Sequence, residues 1–419
     1  MLTRRAALYL QCAFFLAGRA RAADRPTGGV PLPADLALHP PHPGTPGGAF
    51  AGAWIGSWDG WLRHVLVVET VRPDGTADVV SALADDPAAG IRGGWVRRHA
   101  TIAGGVLSVR DPAARYVMDP AGRLSGTARP VAAIASASLI RVPQAALAGG
   151  AAGLDWGEPD LVFVDGPIEN GAPVRLEVAL FRPAGPGPFP LAVLNHGATA
   201  TGTDPVALRR PGWPYAPARF LADAGWLVAC PHRRGRGRSE GFYDETFEAD
   251  RSRGYGCGID ASMKGEARAL ADVDAAVAAL RRRPEVAPAP ILIGGVSRGG
   301  ALAVAYAGRH PGEVAGVLNF VGGWLGAECP TADQVNATLS RAGGRFPRPT
   351  LWLYGENDRY YSIAHSRGHF DAFRHAGGTG RFLVFHVPNG AGHGLAAFPE
   401  LWAGPVREYL ATIGPALRP

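Results

Sequence analysis

Pro290-Ile291-Leu292-Ile293-Gly294-Gly295-Val296-Ser297-Arg298-Gly299-Gly300-Ala301-Leu302-Ala303 decides the fold of the larger part of this chain. An apolar run of β type enters a G-x-S-x-G turn, and an alanine-rich run of helical type leaves it. Strand, sharp turn and helix in that order are the context of a nucleophile elbow. Small residues at Gly295 and Gly299 let strand and helix approach closely while the hydroxyl projects at the sheet edge. Ser297 is the candidate nucleophile.

The chain is rich in glycine, with 58 in 419 residues, so the pattern needs its context. It occurs again at Gly237-Arg238-Ser239-Glu240-Gly241. That copy follows the apolar run Trp226–Cys230 only after a long Arg/Gly turn and leads into no helix. Ser239 is read as part of a structural turn.

A length of 419 residues implies two domains, and 47% hydrophobic against 19% charged residues supplies a large core. Arg4, Arg5, Arg19 and Arg21 lie in the first 22 residues, which hold no acid, and removing them takes the formal charge from +6 to +2. No basic footprint for nucleic acid remains.

Residues 1–22 have the form of an export signal: a charged start, the apolar stretch Ala6–Gly18 and Ala20-Arg21-Ala22 as an A-x-A cleavage site. Thr3-Arg4-Arg5 resembles a twin-arginine signal. The apolar run is too short to span a bilayer and no later segment reaches spanning length. The mature protein is expected to be exported, periplasmic or secreted, without stable membrane insertion.

Residues 23–49, dense in Pro and Gly, read as a tether. From 50 to 142, short alternating runs such as Arg63–Glu69 and Thr76–Val80 are separated by Pro73-Asp74-Gly75, Gly104-Gly105 and Pro120-Ala121-Gly122. This predicts an antiparallel β-domain, a barrel of about eight strands. Gly52-Ala53-Trp54 is similar to the G-x-W start of lipocalin-like barrels. Trp54, Trp58, Trp61 and Trp95 are read as core or packing residues, with a ligand site as the alternative. Residues 143–158 read as a second linker.

In 159–419 a strand pair across Asn170-Gly171 precedes apolar strands alternating with helices, the pattern of a parallel sheet covered on both faces. With the elbow, this order resembles the α/β-hydrolase fold. Pro231-His232-Arg233-Arg234-Gly235-Arg236-Gly237-Arg238-Ser239-Glu240-Gly241 resembles the R-G-x-G-x-S-x-G turn of dienelactone-hydrolase-like and related esterase members. Dienelactone hydrolases proper carry cysteine where this chain has Ser297, so their substrate does not carry over.

The resemblance implies that acid and base follow the serine, each on a loop after a strand. Gly355-Glu356-Asn357-Asp358 offers Asp358 at the family's G-x-x-D position, with Glu356 as fallback. His393, in the glycine-rich turn Asn389–Gly394, is the expected base. The oxyanion hole is expected from the backbone N–H groups of Arg298 and of Ala198 in the H-G loop Leu194–Ala198. His196 is read as structural. His365 and His369 have a metal-compatible i, i+4 spacing but lack the H-E-x-x-H glutamate, and are read as helix surface. The chemistry calls for no cofactor and no metal.

Loop aromatics, chiefly Trp213, Tyr215, Trp324 and Tyr360, are expected to line a substrate pocket. Among the cysteines beyond the signal, Cys230 follows a buried strand, while Cys257 and Cys329 lie in loops and are expected to pair. The predicted function is hydrolysis of small-molecule or polymer-linked esters through an acyl-enzyme. A peptidase or amidase of the same fold, or a binding protein acting through the β-domain, are the alternatives.

Overall fold

The computed structural model describes residues 25–27, 29–87, 90–110, 113–128, 134–148, 154–199 and 201–413. The expected export signal lies outside them. The chain divides into two compact units, Met1–Glu158 and Pro159–Pro419.

The first unit is a closed antiparallel barrel of eight strands: β3 (Gly52–Trp58), β4 (Leu62–Val71), β5 (Thr76–Leu83), β6 (Gly94–Ala103), β7 (Val106–Arg110), β8 (Ala113–Met118), β9 (Leu124–Ala128) and β10 (Ala135–Val142), which pairs back with β3. Trp54, Trp58, Leu66, Val68, Tyr116 and Leu139 form one apolar cluster, joined by the partly buried Trp61. Their alternate neighbours Ala53, Ile55, Val65 and Val67 form a second one with Val30, Leu32, Leu147 and Trp156, on which Trp95 packs. Burial of both faces explains why Val65-Leu66-Val67-Val68 is a continuous apolar run rather than an alternating one.

The expected tether is therefore corrected. β1 (Arg25–Thr27) pairs with β2 (Val30–Leu32), and Val30 and Leu32 are buried. His39 N–H donates to Glu69 O at 2.8 Å, and Arg97 joins Glu69 to Asp35. The linker after the barrel is likewise structured in part: α1 (Gln144–Ala148) carries the buried Leu147, and Trp156 is buried beyond it. Proline and glycine content pointed to flexibility, whereas a few apolar side chains with a barrel face to cover decided otherwise.

In the second unit, β11 (Asp160–Glu169) and β12 (Ala172–Phe181) form the expected hairpin, with Asn170 at φ 50° and Gly171 at φ 82°. Two successive positive φ values are what a two-residue turn between twisted strands requires. The sheet continues with β13 (Leu191–Asn195), β14 (Leu227–Pro231), β15 (Ile291–Val296), β16 (Val314–Phe320), β17 (Thr350–Gly355) and β18 (Gly380–Phe385) in the order β11-β12-β14-β13-β15-β16-β17-β18. All neighbours from β14 onward are parallel. This is the α/β-hydrolase order. The principal helices are α3 (Tyr215–Asp223), α4 (Ile259–Leu280), α5 (Arg298–Arg309), α6 (Ala332–Gly343), α7 (Ile363–His375) and α8 (Pro399–Ile413), with the short α2 (Pro205–Arg209) after β13. Cys257 and Cys329 form a disulfide, and Cys230 is a buried thiol.

Candidate active site

Loops after parallel strands emerge at one edge of the sheet. Those after β13, β15, β17 and β18 carry Ala198, Ser297, Asp358 and His393 in turn.

Ser297 has φ 57° and ψ −123°, a conformation costly for any residue with a β-carbon. The surroundings hold it there: its N–H donates to Phe320 O at 3.0 Å, and its carbonyl accepts from Gly300 and Gly323 N–H. The flanking glycines are sterically obligatory. A β-carbon on Gly295 would lie 2.5 Å from Gly299 C, and one on Gly299 would lie 2.1 Å from Asn195 O.

Asp358 is buried. Its Oδ1 accepts from the Tyr360 and Tyr361 N–H groups at 2.8 and 3.1 Å, and its Oδ2 lies 2.8 Å from His393 Nδ1. Such a contact holds the Nδ1–H tautomer and leaves Nε2 with a lone pair able to take a proton. The rings of Tyr360 and Tyr361 flank His393 at centroid distances of 4.7 and 5.5 Å. Glu356, the fallback acid, is turned to His386 instead, with 3.0 Å between Oε2 and Nδ1.

The H-G loop runs beside the serine: a β-carbon on Gly197 would sit 3.1 Å from Ser297 Cβ and 3.7 Å from its Oγ. Ala198 is exposed next to it. Burial, then the nearby Arg233 charge, pushes the His196 imidazole well below its ordinary pKa. Its Nε2 accepts from Arg233 N–H at 3.2 Å, which fits a structural residue. Ser239 is consumed by its turn, donating to His232 O at 2.7 Å and accepting from Glu177 N–H at 2.9 Å.

The expected pocket aromatics separate. Tyr360 is partly exposed beside His393. Trp213 and Tyr215 are instead buried, packed on Phe181, with Trp213 also stacked on His232. Trp324 is buried too and donates its indole N–H to Thr246 Oγ1 at 2.6 Å. Those three serve as packing, because their loops fold back onto the sheet.

His365 and His369 are not the expected helix surface. His369 is buried and His365 half-buried, facing Asp333 of α6, and the donor atoms of all three lie within 4.8 Å of one another. Spacing places two histidines on one helix face but does not say which face meets α6. Hydrogen-bond accounting opposes a metal here. Asn336 Oδ1 accepts from the Trp324 and Leu325 N–H groups, so its Nδ2 is the atom 3.1 Å from His365 Nε2. His365 accepts there and keeps its proton on Nδ1, 2.6 Å from Asp333 Oδ1, where a metal would need a lone pair.

Residues 213–321 match the family model described as Serine aminopeptidase, S33, a stretch that contains Ser297. No curated protein sequence matches the chain. Among solved structures it is similar to the Pyrococcus furiosus esterase Pf2001, at 16% identity and TM-score 0.42 over 61% of this chain and 92% of that one. Est1E from Butyrivibrio proteoclasticus, solved with ferulic acid bound, aligns at 13% identity and TM-score 0.42 over 60% and 98% of the two chains. An alpha-beta serine hydrolase homologue from Coxiella burnetii aligns at 17% identity and TM-score 0.38 over 61% and 95%.

Proposed function

We propose that this chain, whose second unit is an α/β hydrolase, is an exported serine hydrolase that cleaves carboxylic esters through an acyl-enzyme. The observation that carries the reading is the Asp358–His393 contact of 2.8 Å, made at the sheet edge where the elbow presents Ser297. His393 Nε2 takes the Ser297 proton as Oγ attacks the ester carbonyl, then returns it to the departing alcohol oxygen. Water repeats the sequence on the acyl-enzyme, with the Arg298 and Ala198 N–H groups facing the charged oxygen in both halves. Asp358, fixed by two backbone N–H groups, orients the imidazole and stabilises its cation.

Export is supported by the Arg4-Arg5 signal pattern and by the Cys257–Cys329 disulfide, a bond that persists in oxidising compartments. No helix among the described residues is long and apolar enough to cross a membrane. The description of the matching family favours a second reading, a peptidase acting through the same residues. The test is labelling by a fluorophosphonate probe, followed by turnover of chromogenic acyl esters against peptide anilides. Ser297-dependent labelling with ester turnover is expected. Turnover of anilides alone selects the peptidase, and no labelling at all leaves the β-domain as the functional part.

A further inference from the structure

Tyr255 touches the chain beside both proposed oxyanion donors. Its hydroxyl accepts from Thr199 N–H at 3.0 Å and lies 3.1 Å from Thr199 O, and Thr199 directly follows Ala198. Its ring carries the Arg298 guanidinium, with Cζ 4.1 Å from the centroid, and Arg298 directly follows Ser297. That guanidinium is buried and also donates to Trp324 O at 3.0 Å and Glu245 O at 3.1 Å. One side chain thus touches the Thr199 backbone and the Arg298 guanidinium.

The other end of the loop is held through the same network. Arg233 donates to His196 O at 2.9 Å and Gly197 O at 3.3 Å and is paired with Glu245. Tyr243 donates to Glu245 Oε2 at 3.1 Å, and its oxygen lies 2.8 Å from the Tyr255 hydroxyl. The segment following β13 up to Thr199 has no regular structure of its own. Amide donors stabilise an oxyanion only when held within a few tenths of an ångström.

We propose that Tyr255 is a positioning residue for the oxyanion hole, fixing the Ala198 loop through Thr199 and holding the Arg298 side chain, which follows Ser297, against its ring. The proposal rests on the serine-hydrolase reading above and adds to it a residue that touches no reacting atom.

The test uses the full-length chain and a soluble, neutral acyl ester. Tyr255→Phe keeps the ring under Arg298 and removes only the hydroxyl. Its kcat should fall about tenfold, part of the loss typical of a deleted oxyanion donor, with KM changed by less than about twofold. Affinity for a trifluoromethyl ketone, which forms a charged tetrahedral adduct, should fall in parallel, while affinity for the product carboxylate should not. Tyr255→Leu, which also removes the ring, should lose more. An unchanged kcat in Tyr255→Phe, or a loss confined to KM, overturns the proposal. If that variant does not fold, Tyr243→Phe stands in, with a smaller loss of the same kcat-only form expected, and full kcat there overturns the proposal equally. A wild-type enzyme that turns over no ester and resists the phosphonate probe defeats the hydrolase reading itself, a result distinct from an active Tyr255→Phe enzyme.

Discussion

Asp358 Oδ2 lies 2.8 Å from His393 Nδ1, a residue 35 positions further along the chain. Two backbone N–H groups occupy the other carboxylate oxygen, so the carboxyl cannot turn away without breaking them. Asp358→Asn would present an amide N–H or a neutral oxygen to the imidazole and lose control of the tautomer. Its kcat should drop by roughly two to four orders of magnitude with little change in thermal stability, whereas Glu356→Gln should stay near wild type. Steady-state rates of the two variants check the assignment, and equal losses would reverse it.

Ser297→Ala should abolish ester turnover and phosphonate labelling. Ser239→Ala should retain labelling at Ser297 but unfold at a lower temperature, because it removes two buried hydrogen bonds worth about 1 kcal/mol each. Mass spectrometry of the labelled peptide decides which serine reacts.

The Cys257–Cys329 bond closes a loop of 72 residues. By chain entropy it is worth about 4 kcal/mol. Denatured, unreduced protein should therefore show two fewer titratable thiols than reduced protein, and Cys257→Ser/Cys329→Ser should melt lower. Equal thiol counts before and after reduction would eliminate the bridge.

His64 makes the barrel sensitive to acid. Burial pushes its imidazole down to about 4, although a hydrogen bond to Ala82 O acts the other way. Its Nε2 faces the Tyr116 hydroxyl at 3.0 Å. The folded state keeps this ring neutral where an unfolded chain protonates it near pH 6.5, so its contribution to stability is lost as pH falls from about 6.5 towards 4. At pH 5 the loss is about 2 kcal/mol. Burial raises Asp59 in the same unit to about 6, which works in the opposite direction over a similar window. The comparison that isolates His64 is urea unfolding of wild type and His64→Gln at pH 7 and pH 5. A smaller pH-dependent loss is expected in the variant, and equal losses would refute the assignment.

Much of the second unit was legible because its signals are local. The runs Leu191–Leu194, Ile291–Ile293 and Thr350–Tyr354 are short and apolar throughout, as strands covered on both faces must be. Asn170-Gly171 is a turn wherever it stands between two strand patterns. Ser297, Asp358 and His393 could be picked out because each follows such a strand on a glycine-containing turn. Tyr243 and Tyr255 could be seen only as loop aromatics. Their bonds to Glu245 and Thr199 depend on how those loops fold back, which no spacing encodes.

Residue order alone determined the strand-helix alternation, the elbow at Ser297 and the placing of Ser297, Asp358 and His393 each after a strand, because period, turn chemistry and strand ends are properties of neighbouring residues. Tertiary structure decided which carboxylate meets His393, that Val30 and Leu32 dock on the barrel, that Trp213 and Tyr215 are packing, and that His369 is buried. Those outcomes depend on which surfaces come together across tens to hundreds of residues. Pairing and burial energies settle them only once the sheet and barrel have brought the partners within reach.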